Sequence, residues 1–106
     1  MCYHGQGVPI DYGEAMKWCR LAAEQGDTFA QYNLGLMYYK GRGVPQDNVL
    51  AYMWINLAAT NVAYRALQSR YAEMRDESVA KLMMASQIIE ARGLAAKCTD
   101  HEFKEC

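Results

Sequence analysis

The chain holds two histidines, His4 near its start and His101 near its end, and these are the only imidazoles it can offer as catalytic bases. A nucleophile and histidine pair would therefore have to be assembled from the extremities, where chains fray. Ser69, Ser78 and Ser86 stand in helix-forming or helix-capping surroundings. None follows a strand pattern into the sharp turn that exposes a serine nucleophile. Gly5-Gln6-Gly7 and Gly41-Arg42-Gly43 look like phosphate loops, yet no strand precedes them, and the Val-Pro pair after each suits a turn between helices. Cys98, His101 and Cys106 have a spacing acceptable to zinc, with a fourth ligand required from Asp100, Glu102 or another chain. The stronger reading of that tail is a disulfide between Cys98 and Cys106, pinning residues 99–105 onto the last helix in an oxidising compartment, or else two free thiols. No catalytic residue, metal or cofactor is assigned from these groups.

The elements that would position any site are helices. Hydrophobic residues make up 52% of the 106, but Ala, Met, Leu and Tyr dominate over Ile and Val, and only Pro9 and Pro45 interrupt. That mixture favours helix over sheet, and the length suits one domain. The net charge is −1 and the lysines and arginines are scattered. Without a basic run there is no stripe to neutralise phosphates, so nucleic acid is not an expected partner. No apolar stretch reaches the roughly 18 to 20 residues that a membrane span requires. The first residues lack the basic and apolar segments of a secretory signal. They leave the compartment open.

Twelve residues recur when the chain is slid by thirty-six positions, from Tyr3 and Tyr39, through Gly5 and Gly41, Trp18 and Trp54, Leu21 and Leu57, to Ala30 and Ala66. A period of roughly 20 to 50 residues rich in helix formers predicts a solenoid whose hairpins shield one another. One domain over residues 1–106 divides into an incomplete first repeat (1–26), a complete repeat (27–61), a divergent repeat with a capping helix (62–98) and a tail (99–106). Within the complete repeat, Asp27 or Thr28 caps a helix that ends at Lys40, because Gly41 tolerates left-handed backbone. Gly41, Gly43, Val44 and Pro45 shape the linker, and Asp47 caps a second helix over residues 48–60. The same pattern one period earlier gives a linker at residues 5–11 and a helix over 12–25. In the third unit a helix is expected over 63–75 or on toward 81, without a glycine linker. A last helix opens at Met84 or Ser86 and buries Ile88, Ile89, Ala91, Leu94 and Ala95, while Gly93 weakens it unless close packing needs a missing side chain. Cys2 and Cys19 align with Tyr38 and Ile55, which predicts small buried hydrophobes. Trp18 and Trp54 are read as packing within helix pairs, and the seven methionines as pliable filling.

The motif Ala30-x3-Leu34-Gly35-x2-Tyr38-x2-Gly41-x-Gly43-Val44-x2-Asp47-x3-Ala51-x2-Trp54-x3-Ala58-Ala59 resembles the Sel1-like repeats, relatives of the tetratricopeptide solenoids. Residues 83–91 are similar to the closing helix of many bacterial members. The resemblance implies an all-α superhelix of antiparallel helix pairs with a C-terminal capping helix, acting as a noncatalytic adaptor or scaffold for protein or peptide. It also brings a weaker alternative, the hydrolytic activity sometimes proposed for cysteine-rich relatives. The disulfide pairs of those relatives are not carried over, because this chain lacks their regular placement.

In the tetratricopeptide relatives the first helix of each repeat lines a concave groove that grips peptide. The matching arc here holds Phe29, Tyr32, Leu36, Tyr39 and Lys40, followed in the third unit by Arg65 and Gln68. Those seven are the expected partner-binding residues, with packing between repeats as the rival reading for Phe29 and Tyr39. Aromatic side chains give large contact area at low rotamer cost. The incomplete first repeat would bare Tyr3, Val8, Trp18 and Leu21, a push toward a homodimer.

Overall fold

The structure, a computed structural model, describes residues 12–100. Its elements are helices α1 (Tyr12–Glu24), α2 (Thr28–Lys40), α3 (Asn48–Asn61) and α4 (Arg65–Met74), a π-helical turn (Arg75–Val79), a 3-10 turn (Ala80–Leu82) and helix α5 (Ala85–Asp100). No strand occurs among the described residues. The expected linker at residues 5–11, His4, His101, Cys2 and Cys106 lie outside them.

Local chemistry sets the boundaries. Asp27 Oδ1 accepts hydrogen bonds from the backbone N–H groups of Phe29 and Ala30 at 3.0 and 3.2 Å, satisfying donors that the first turn of α2 cannot. Gly41 closes α2 at φ 70°, where its N–H reaches the Met37 carbonyl. The linker then folds back, with the Asp47 N–H donating to the Tyr38 carbonyl at 3.0 Å. The Asp47 carboxylate in turn accepts from Val49 and Leu50 at 3.0 and 3.1 Å, and α3 begins.

α2 and α3 form the tightest pair, and Gly35 is the reason. A Cβ at Gly35 would sit 2.5 Å from Ile55 Cγ1 and 3.0 Å from the Ala51 carbonyl oxygen. The carbonyl belongs to helical backbone and cannot swing away. Gly93 is the opposite case, with nothing within 4 Å of the Cβ it lacks. Gly35→Ala is expected to cost about 1 to 3 kcal/mol by overpacking. Gly93→Ala should gain about 1 kcal/mol and raise Tm by about 4 °C, since only backbone entropy changes. Thermal melts of the two variants check both signs.

α3 is the centre of the molecule. Ala51, Tyr52, Met53, Trp54, Ile55, Leu57, Ala58 and Ala59 are all buried along it. α2 covers one side, and α4 and α5 both pack on α3 far more than on each other. The third unit is thus a pair of helices laid separately on α3, and α5 acts as the cap.

Its helices depart from expectation in detail. Tyr64 is extended, so α4 starts at Arg65, and with no glycine to stop it the chain widens into the π turn and tightens into the 3-10 turn. Arg75 fixes this stretch: its guanidinium takes both carboxylate oxygens of Asp76 at 2.9 and 3.0 Å, reaches Asn56 Oδ1 at 2.7 Å and lies over the Tyr52 ring. Hydrogen bonding to Arg75 holds the Asp76 carboxyl below its ordinary range. α5 opens after Met84, whose N–H donates to Gln87 Oε1 at 2.8 Å. Ala91, Ala95 and Cys98 form its buried stripe, with Ile88 and Leu94 partly buried beside it. Ile89, expected inside, is 71% exposed. At about 100° per residue it stands roughly 160° around the helix from Ala91.

Candidate protein-interaction site

Both described cysteines are buried and disulfide-bonded. Cys19 therefore is not the packed thiol that its alignment with Ile55 predicted. Alignment reported only the demand for burial, which a half-cystine meets equally. A sulfur held in a disulfide is no thiolate, so Cys98 is unavailable for the zinc arrangement. Among the described residues no group of three or more potential metal ligands gathers.

Two surfaces stand out. The first lies between α2 and α4, where Tyr32 and Tyr71 stack with ring centroids 4.2 Å apart and planes 18° from parallel. Beside them opens a cavity of about 260 Å3 lined by Tyr32, Arg70, Glu73, Met74, Glu77 and Ser78. Burial raises the pKa of both phenols, Tyr71 further through Tyr32 and Asp27, while the positive charge of Arg70 lowers both.

A phenol whose folded pKa lies above its unfolded value contributes stability below the ordinary tyrosine range, and loses it as pH climbs through the folded value. Stability is therefore expected to fall on the alkaline side of about pH 10. Tyr32 and Tyr71 should ionise late in an ultraviolet titration, and later still in Arg70→Ala. Simultaneous ionisation of all the tyrosines would contradict this assignment.

Of the seven residues expected to bind, Tyr32 reaches this cavity. Leu36 and Tyr39 are half-buried against the main core. Phe29, 46% exposed, and the exposed Lys40 lie at the two ends of α2. Arg65 and Gln68 are exposed, but stand roughly 140° to 160° around α4 from Arg70 at 100° per residue. Arg70, Glu73, Met74 and Glu77 are not among those seven, and Ser78 entered only as a serine without a nucleophile's turn. A signal for three of them was present, since Arg70, Glu73 and Glu77 recur at spacings that share a helix face.

The second surface is the outer side of α1. Trp54 is 0% and Leu57 1% exposed, whereas Trp18 and Leu21, one period earlier, are 57% and 52% exposed. Trp54 is covered in part by α1, whose Arg20 guanidinium carbon lies 5.5 Å from the ring centroid. Trp18 meets the Glu14 carboxylate, which accepts from its indole N–H at 3.1 Å. An open cavity of about 490 Å3 lined by Gly13, Met16, Lys17, Arg20 and Leu21 adjoins it. The reading of Trp18 as packed within a helix pair is thereby corrected. No described helix is long and apolar enough to cross a membrane.

Residues 1–27 and 28–61 each match the model of the Sel1 repeat. The chain belongs to the Sel1 repeat family, whose all-α solenoids serve in general as protein–protein interaction modules. Among solved structures it is similar to c5321, a protective antigen present in uropathogenic Escherichia coli strains that displays an SLR fold. The two share 33% identity at a TM-score of 0.78 over 93% of this chain. The match spans 21% of that protein's chain. No curated protein matches.

Proposed function

We propose that this chain is a noncatalytic protein-interaction module that binds a peptide or a protein segment along the face shared by α2 and α4. The observation that carries the reading is the cavity beside the stacked Tyr32 and Tyr71, where an aromatic wall meets Arg70 and Glu73 with neither charge paired among the described residues. Pre-stacked rings lose little rotamer freedom when a ligand arrives, which favours binding. Phe29, Lys40, Arg65 and Gln68 would extend the contact beyond the cavity for a longer partner, while Leu36 and Tyr39 would support it from beneath. The test is selection of a random peptide display library on the full chain, followed by titration of the selected peptides. Tyr32→Ala is expected to weaken them about tenfold, or roughly 1.4 kcal/mol. Affinity indifferent to that change would remove the reading.

A second reading, self-assembly as a homodimer, rests on the contrast between Trp18 and Trp54. Apolar surface that the fold buries in one repeat is open in the other, and burying it would contribute about 25 cal/mol per Å2. Sedimentation of the chain beside Trp18→Glu tests this: a dimer lost in the variant is expected, and a monomer at high concentration in both would end it.

A further inference from the structure

The proposed peptide face has a charge order that names its ligand more closely. Arg70, Glu73 and Glu77 follow one another along a single flank of α4 and the π turn, all lining the same cavity. Glu73 has no ion-pair or hydrogen-bond partner among the described residues. Glu77 meets Lys81 at 3.3 Å, but both side chains are about two-thirds exposed (64% and 68%). Such a pair contributes little and yields readily to a competing cation. Asp76, the other acid nearby, is occupied by Arg75. Tyr32 and Met74 line the same cavity as these two carboxylates and supply its apolar wall. A cavity that combines two carboxylates with a ring and a thioether fits a long cationic side chain, whose stem prefers apolar contact while its head stays among charges.

Resting on the peptide-binding reading, we infer that this cavity seats a lysine or arginine side chain of an extended peptide, held by Glu73 and Glu77, with an acidic residue two positions away meeting Arg70. The spacing follows from pitch. At about 1.5 Å per residue the midpoint of Glu73 and Glu77 lies roughly 7 Å along the axis from Arg70. Two residues of extended chain cover about 6.7 Å and point to the same side.

The experiment begins with the library selection on the full chain. Selected peptides should be enriched in a basic and an acidic residue separated by one position. The best of them is resynthesised and titrated by fluorescence anisotropy. Glu73→Gln/Glu77→Gln, with circular dichroism confirming an unchanged fold, is expected to weaken it at least tenfold. In Glu73→Lys/Glu77→Lys, exchanging the basic residue of the peptide for glutamate should recover most of the loss, which a merely structural role would not produce. Selected peptides without a basic residue, or binding untouched by the double glutamine variant, would overturn the inference. If Tyr32→Ala still abolished that binding, the broader peptide reading would stand without it. Enrichment of no peptide at all would overturn both.

Discussion

Trp54→Ala is expected to remove about 3 to 5 kcal/mol of stability, and Trp18→Ala no more than about 1 kcal/mol, although the two occupy the same place in the repeat. Trp54 is 0% exposed, enclosed by the α2–α3 pair and by Arg20 from α1. Truncation would leave a void that these helices cannot close, because Gly35 already holds α2 against α3 at contact distance. Trp18 is 57% exposed and loses mostly contact with solvent. A chain of this length has a total stability of about 5 to 15 kcal/mol. The first variant therefore approaches global unfolding, while the second leaves the urea midpoint almost in place. Equal losses at the two positions would mean that α1 is covered in solution, as the homodimer reading requires.

Reduction of the disulfides is the second large effect, expected at about 2 to 5 kcal/mol for each bridge removed. Cys19 and Cys98 are core residues on the first and last helices, 0% and 1% exposed, and both are disulfide-bonded. We propose Cys106 as the partner of Cys98, which leaves Cys2 for Cys19 among the four cysteines. Mass mapping of an unreduced digest checks the pairing, and urea melts with and without reductant check the magnitude. Resistance of the melt to full reduction would contradict it.

How far the sequence was legible can be judged residue by residue. Asp27, Gly41 and Asp47 act through neighbours within four positions, and their roles as caps follow from residue type alone. The burial of Trp54 and the helix pair around it were equally plain from the repeat. Trp18 was not, because a motif position says which face a side chain occupies and nothing about whether another helix covers it. The cavity of Arg70, Glu73 and Glu77 was missed for a related reason. Shifting by one period projected the arc of α2 onto Arg65 and Gln68, but the third unit lays α4 and α5 separately on α3, and the part of α4 beside Tyr32 is a different flank. Ile89 failed through phase: an apolar type outweighed its angular distance from Ala91 and Ala95.

A helix packed on all sides changes how the array comes apart. Tandem hairpins that touch only their nearest neighbours can fray one unit at a time. Here α2, α4 and α5 all rest on α3, so peeling away any one of them wets the same central segment. The amides of Tyr52 to Leu57 are accordingly expected to exchange with deuterium only through whole-molecule opening, giving a short array the cooperativity of a globular domain.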